Sequence, residues 1–209
     1  MALGRRRMKA GGIADGRPPE LILASSSPRR AALLRELGLS FRVVPSEFEE
    51  RHQGRAGDPA RFVEALALGK AEEVAGKVGR GLVLGADTIV ILAGEILEKP
   101  ADPAEAREML RRLSGRWHDV YTGVALVEAE GRTSLVGHER TRVKFRRINP
   151  EEIEAYVGTG EPLDKAGAYG IQGLGAVLVE RIEGCYTNVV GLPLTRVALM
   201  LREFGWRIL

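Results

Sequence analysis

The sequence predicts an α/β fold in which a mixed β-sheet is flanked by helices and a cleft separates two lobes. Strand-like and helix-like segments mix along the chain without a regular βαβ repeat. Consecutive strand-like segments, which favour antiparallel pairing, lie between the helices. The length of 209 residues and the hydrophobic fraction of 44% suit one large domain or two small lobes.

The first predicted elements are a strand, a helix and a second strand. The apolar run ELILAS at 20–25 is typical of a short buried strand. The helix in SPRRAALLRELG has Ser27 as its N-cap, Pro28 at its first position and Gly38 at its end. The segment FRVVPS at 41–46 predicts the second strand.

The middle of the chain predicts two longer helices around a strand. Both helices open with an Asp-Pro pair, at 58–77 and at 102–115, and the second ends at a glycine. The segment GLVLGADTIVILAGE at 81–95 is strand-like on both sides of an Asp-Thr pair.

The remaining elements are assigned in the same way. Two strands, at 119–129 and 132–148, are joined at Glu-Gly-Arg. A short helix at 149–160 and a Gly-rich loop at 164–173 follow. The chain then forms a hairpin at 176–191 and a last helix at 193–205.

Composition and charge narrow the class of protein. Residues 1–19 are basic, rich in Gly and Pro and lack the apolar core of a signal peptide, so we expect a flexible tail before one domain at 20–209. No apolar run approaches the ~20 residues that a membrane span needs. The lone Cys185 suits a reducing cytoplasm. The net charge of +3 does not favour nucleic acid, and RVKFRR at 142–147 reads as an ordinary strand.

The start of the first predicted helix is a candidate anion site. Ser25, Ser26 and Ser27 precede free backbone N–H groups that carry partial positive charge. Arg29 and Arg30 lie at this positive end, where cations are disfavoured, so they suit a bound polyphosphate. The alternative is a capped helix whose arginines are merely solvated, and the local sequence leaves both open.

Asp87 lies inside the apolar segment LVLGADTIVIL. An ionised carboxylate there is costly unless it is paired, hydrogen-bonded or bound to a metal. The neighbouring Thr88 could hydrogen-bond a ligand. The alternative is an aspartate at a strand end that nearby backbone N–H groups satisfy.

Lys70 lies on the apolar face of the second predicted helix. Val63, Leu66, Ala67 and Val74 share that face at spacings of three or four residues. A lysine there either extends to the rim of the buried surface or meets an anion inside a cleft.

Further candidates are weaker. Glu49, Glu50 and Glu98 could hold a hard divalent metal beside Lys99, although such side chains are usually solvated. In the Gly-rich loop, Gln172 offers an amide donor and acceptor to a base edge, although such a loop is more often just a turn.

Histidine and cysteine side chains do not predict a metal centre. His118, His138 and Cys185 are far apart in the sequence and lack metal-ligand spacing. We therefore assign them no role.

Four segments together resemble the Maf-type nucleotide pyrophosphatases, also called septum formation proteins. They are LILASSSPRRAALLRELGL, GADTIVILAGEILEKP, AREMLRRLSGRWHDVYTGVAL and EPLDKAGAYGIQGLGAVLVERIEGCYTNVVGLPL. The resemblance runs in order from Leu21 to Phe204. Its Ser-x-Ser-Pro-Arg-Arg, Gly-Ala-Asp-Thr, Glu-Lys-Pro and late Asp-Lys motifs are specific in combination.

The resemblance implies a fold and an activity. The fold would be an elongated α/β one with a deep cleft, similar to that of inosine triphosphate pyrophosphatases. The activity would be hydrolysis of nucleoside triphosphates to the monophosphate and pyrophosphate, with Mg²⁺ or Mn²⁺ as cofactor. A homodimer is left open, and neither a membrane nor a nucleic acid is expected as a partner.

The resemblance also implies roles for individual residues. Asp87 would be the general base and, with Glu50, a metal ligand, and Lys70 and Lys99 would offset charge on the phosphates. The implied substrate-binding residues are Ser25, Arg29, Arg30, Thr88, Gln172 and Lys165, the last paired with Asp164.

Three of these positions separate branches of the family. Arg29, Thr88 and Gln172 match the branch that acts on dTTP and UTP, which we extend to modified pyrimidine nucleotides, whereas a 7-methyl-GTP branch tends to carry Trp, Gln and Glu there. A glutamine amide can pair with a pyrimidine edge through both its donor and its acceptor. The alternatives are 7-methyl-GTP hydrolysis and a non-catalytic nucleotide- or nucleic-acid-binding regulator of cell division.

Overall fold

A computed structural model describes residues 18–48, 57–131 and 133–209. In that part of the chain the strands are β1 Leu21–Leu23, β2 Phe41–Val43, β3 Leu82–Leu92, β4 Glu95–Leu97, β5 Trp117–Glu128, β6 Ser134–Phe145 and β7 Val179–Glu183. The α-helices are α1 Pro28–Glu36, α2 Pro59–Val78, α3 Pro103–Leu113, α4 Pro150–Gly158, α5 Tyr186–Val190 and α6 Leu194–Arg202. The predicted tail, apart from Pro18 and Pro19, lies outside the described residues.

The strands of the described residues form one mixed sheet with the order β2-β1-β3-β5-β6-β7, and β4 pairs with β3. Strand β1 runs parallel to β2 and β3, and the remaining pairs are antiparallel. The predicted mixed sheet flanked by helices is confirmed.

Two hydrophobic cores lie on one face of the sheet, at opposite ends of the long strands β3 and β5. Leu84 and Ala86 belong to the first core, with α1 and α6, whereas Val90 and Leu92 belong to the second, with α3 and α4. Alternate residues of a strand share a face, so Thr88 lies on this face between the two cores. This division supplies the two lobes that the sequence predicts.

Helix α2 packs against the opposite face, and two glycines let it approach closely. A Cβ on Gly85 would lie 2.2 Å from the Ala67 carbonyl oxygen, and one on Gly123 would lie 2.1 Å from that of Val63. Both positions therefore require a residue without a side chain. Because α2 lies so near the sheet, the residues of one helix face come within reach of β3.

Local capping signals are confirmed where the sequence placed them. The Ser27 hydroxyl accepts from the Arg30 N–H at the start of α1, and the Asp58 carboxylate caps α2. Gly38 follows α1 with a positive φ of 70°, a conformation that glycine adopts at low cost. Helix α4 also starts with a capping box, formed by Asn149 and Glu152, which was not predicted from the sequence.

The predicted hairpin over 176–191 is wrong in its second half. Its first half contains β7, which pairs with β6, but Tyr186–Val190 is the short helix α5. The buried Asn188 side chain donates hydrogen bonds to the Val120 carbonyl and the Thr141 hydroxyl, each at 3.0 Å. These tertiary bonds hold the turn against the strand propensity of its β-branched residues.

None of the helices in the described residues combines the length and apolar composition that crossing a membrane requires.

Candidate active site

An interruption in the pairing of β3 creates the candidate site. On one side of β3, pairing with β1 extends as far as Leu84, and pairing with β4 starts only at Val90. Between these two partners, at Asp87 and Thr88, no strand among the described residues pairs with this side of β3. Successive side chains of a strand point to opposite faces, so the gap gives one opening access to both.

A cavity of about 610 Å³ occupies this gap. Nine of the predicted site residues line it: Ser25, Arg29, Arg30, Lys70, Asp87, Thr88, Lys99, Lys165 and Gln172. The structure therefore brings together residues that are up to 147 positions apart, from Ser25 to Gln172. Glu50, and Glu49 beside it, lie outside the described residues.

Asp87 is paired with Lys70 at the inner wall of the cavity. The Lys70 Nζ donates to Asp87 Oδ1 at 2.6 Å, and the two side chains are only 12% and 8% exposed. The ammonium compensates the carboxylate charge, which would otherwise be costly to bury. Of the two interpretations of Lys70, the structure supports the one in which it meets an anion, and that anion is Asp87.

Arg30 turns back from the start of α1 and is held on three sides. Its Nε donates to the Gly191 carbonyl at 2.9 Å, Nη1 to the Ser25 hydroxyl at 3.1 Å and Nη2 to the Thr88 hydroxyl at 3.2 Å. The guanidinium is therefore a preorganised hydrogen-bond donor at the N-terminus of α1.

Arg29 and Lys165 are linked by one carboxylate on the other wall. Asp164 accepts from Arg29 Nη1 at 3.3 Å and from Lys165 Nζ at 2.6 Å. Partial burial opposes ionisation of Asp164, but the hydrogen bond from Lys165 and the charges of Lys165 and Arg29 hold the pKa of this carboxyl below its usual range. The adjacent Asp164 and Lys165 of the late motif thus form an ion pair, which faces the cations of α1.

The loop that carries Gln172 is anchored by Glu161. The Glu161 carboxylate accepts from the backbone N–H groups of Leu174 and Gly175, each at 3.0 Å, and from the Tyr156 hydroxyl at 2.9 Å. Burial opposes its ionisation, yet these three hydrogen bonds hold the pKa of Glu161 below its usual range. Gln172 itself is exposed and lines the cavity.

Three residues of the site were not predicted from the sequence. Phe48 lines the cavity, and a Cβ on Gly69 would lie 2.5 Å from the tip of its ring. Gly191 supplies the carbonyl that binds Arg30. Thr122 stands opposite Thr88 in the sheet. The only sequence signal for Thr122 is a hydroxyl inside an apolar strand.

The carboxylates of the cavity suit a divalent metal shared with a phosphate ligand. The described residues contain no group of three or more His, Cys, Asp and Glu side chains that could hold a metal alone. Mg²⁺ does not require such a group, because it is commonly bound by one or two carboxylates, water and substrate phosphates. Asp87 would offer one hard oxygen ligand, and the cations beside it suit phosphates.

His118 joins the second core to the Gln172 loop. Its Nε2 is 2.7 Å from the Tyr169 hydroxyl, and Tyr169 also lines the cavity. Burial lowers the pKa of His118 to about 4, against a weaker opposing effect of Asp119. The folded protein therefore holds this histidine neutral at pH values where an unfolded chain would bind a proton.

This burial predicts a pH-dependent stability. Because the pKa is lower in the folded state, the contribution of His118 is complete above pH ~6.5 and is lost as the pH falls toward ~4. Between pH 7 and pH 5 we expect the free energy of unfolding to fall by about 2 kcal/mol from this residue. His118→Gln should remove that part of the fall, whereas His138→Gln, at a half-buried histidine beside Glu64, should leave it in place. Equal falls in wild type and His118→Gln, measured by urea unfolding, would contradict this.

Comparison with known proteins identifies a family and relatives that match almost the whole chain. The family model described as Maf-like protein matches residues 20–204. A relative from Pelotomaculum thermopropionicum is 53% identical over 91% of this chain and 99% of its own, and one from Moorella thermoacetica is 57% identical over 89% and 95%. Both are named dTTP/UTP pyrophosphatase.

A solved structure, that of the Staphylococcus aureus Ham1 protein, covers 77% of this chain and 79% of its own. Its sequence identity is 15% and its TM-score is 0.44.

Proposed function

The chain belongs to the Maf family, and on that premise we propose that it hydrolyses dTTP, UTP and modified pyrimidine triphosphates to the monophosphate and pyrophosphate. The relatives named dTTP/UTP pyrophosphatase span almost the whole chain and support this assignment. The observation that carries it is the placement in one cavity of a buried carboxylate, Asp87, and five cations. These are Arg29, Arg30, Lys70, Lys99 and Lys165.

The cations bind and orient the triphosphate in this proposal. Arg29 and Arg30, with Ser25 beside Arg30, hold phosphate oxygens at the start of α1, and Lys165 holds them from the other wall. Lys70 and Lys99 offset negative charge that builds up on the phosphates during the reaction.

Asp87 acts on water. Its carboxylate orients a water molecule toward the α-phosphorus and accepts the proton that the water loses on attack. The bond between the α-phosphorus and the bridging oxygen breaks, and pyrophosphate leaves. A pure anion-binding protein would gain nothing from a carboxylate at this position, which argues against a non-catalytic regulator.

A divalent cation, Mg²⁺ or Mn²⁺, would be held by Asp87 and Glu50 together with phosphate oxygens. When bound, it supplies Lewis-acid stabilisation of the phosphates.

In this proposal Gln172 recognises the base of the nucleotide. Its amide can donate to and accept from a pyrimidine edge, and a base that fits poorly would leave these groups unpaired.

A cytoplasmic location, where these nucleotides are found, is part of the same proposal.

A product assay tests the proposal directly. Protein incubated with dTTP or UTP and Mg²⁺ or Mn²⁺ should release the nucleoside monophosphate and pyrophosphate, and chelation of the metal should abolish turnover. Release of orthophosphate instead would contradict the assigned bond. Faster turnover of 7-methyl-GTP than of UTP in parallel reactions would contradict the assigned substrate.

A further inference from the structure

A closed ring of hydrogen bonds connects the phosphate-binding Arg30 to the interior of the sheet. Arg30 Nη2 donates to Thr88 Oγ1, which lies 2.9 Å from Thr122 Oγ1. Thr122 Oγ1 lies 3.0 Å from the backbone carbonyl oxygen of Asn188, which also accepts from the Gly191 N–H at 3.0 Å. The Gly191 carbonyl accepts from Arg30 Nε, which closes the ring.

The direction of each hydrogen bond in this ring can be assigned. The Asn188 carbonyl can only accept, so the hydroxyl of Thr122 donates its one proton there; otherwise two oxygen lone pairs would face each other at 3.0 Å. Thr122 must then accept from Thr88. Arg30 can only donate, so Thr88 accepts from it and donates to Thr122.

The assignment leaves Thr88 without a proton for a ligand. The sequence suggests Thr88 as a direct hydrogen-bonding partner of the ligand, but its single proton is used inside the protein. Thr122 is fully buried, so water cannot replace it as the acceptor. Without this acceptor, the hydroxyl of Thr88, which is only partly buried and lines the cavity, is free to turn toward the cavity, and the guanidinium is held less firmly.

We propose that Thr122 is a positioning residue for triphosphate binding, which acts through Thr88 to hold the guanidinium of Arg30 in place. This inference rests on the proposed function, in which Arg30 binds phosphate. Thr122 itself touches no substrate, because it lies wholly inside the protein behind Thr88.

Three single variants test the inference. Thr122→Val keeps the shape and removes the hydroxyl, and it should lower kcat/KM for dTTP about tenfold, mainly through a higher KM. Thr122→Ser keeps the hydroxyl and should stay within about twofold of wild type. Ser114→Ala removes a partly buried hydroxyl that bonds the Ile148 backbone outside the cavity, and it should leave kcat/KM near wild type even if it lowers the melting temperature. Equal losses in Thr122→Val and Ser114→Ala would reduce Thr122 to a structural role and overturn the inference.

Two double-mutant cycles test whether Thr122 acts through Thr88 and Arg30. If Thr122 acts through Arg30, then Thr122→Val should cost almost nothing in an Arg30→Ala background, and Thr88→Val/Thr122→Val should be no worse than Thr88→Val. Additive losses in either cycle would overturn the inference.

Binding of inorganic tripolyphosphate separates this inference from the proposed function. Calorimetry in the presence of Mg²⁺ should give a Kd about tenfold weaker for Thr122→Val and near wild type for Thr122→Ser. This result would support the inference even if the wild type hydrolysed no dTTP, which would contradict only the function. Identical affinity in wild type and Thr122→Val, or no binding by the wild type, would overturn it.

Discussion

Replacing Asp87 by asparagine should lower kcat for dTTP hydrolysis by about 100-fold or more. The amide has the shape of the carboxylate but cannot accept the proton of the attacking water. The side chain is buried beside Lys70, so bulk water cannot take over its orienting role at the same position. Steady-state kinetics with dTTP measures the effect, at a temperature well below the melting temperature of the variant.

The matched control is Asp119→Asn. Asp119 also pairs with a cation, Arg140 at 2.9 Å, but lies outside the cavity. This variant loses the same charge and should keep kcat near that of wild type. Near-normal turnover by Asp87→Asn would refute the role of Asp87 as the base.

Replacing Gly123 by alanine should lower the free energy of unfolding by about 3 kcal/mol or more. The added Cβ would lie 2.1 Å from the Val63 carbonyl oxygen and 2.3 Å from its carbon, so helix α2 must move away from the sheet. Lys70 is on that helix, so the contact between Lys70 and Asp87 should be disturbed as well. Urea unfolding at pH 7 measures the change.

Gly76→Ala on the same helix is the control. A Cβ there meets nothing within 4 Å, so this exposed substitution should stabilise the protein by about 0.5–1 kcal/mol. If Gly123→Ala unfolds at the same denaturant concentration as wild type, the close approach of α2 is not required for stability.

Much of the fold could be predicted because its signals are local. The caps at Ser27 and Asp58 and the capping box on α4 lie within a few residues of the helices that they start. The failure at α5 has the opposite cause. Its helical turn depends on hydrogen bonds from Asn188 to Val120 and Thr141, at least 47 positions away.

In the candidate site, too, the sequence marks individual residues, whereas their contacts depend on the fold. A buried aspartate, paired arginines at a helix start and a lysine on an apolar face each violate a local expectation, so the sequence marks them. Their contacts depend on the fold: the partner of Lys70 is Asp87, and the proton of Thr88 goes to Thr122. Such assignments require the register of β3 against β5 and the position of α2, which periodicity cannot supply.

Hydrolysis of dTTP in ¹⁸O-labelled water shows which phosphorus the water attacks. If water attacks the α-phosphorus of a triphosphate held in this cavity, mass spectrometry of the two products should find the label in dTMP and none in pyrophosphate. Label in pyrophosphate would mean attack on the β-phosphorus and would refute the proposed mechanism.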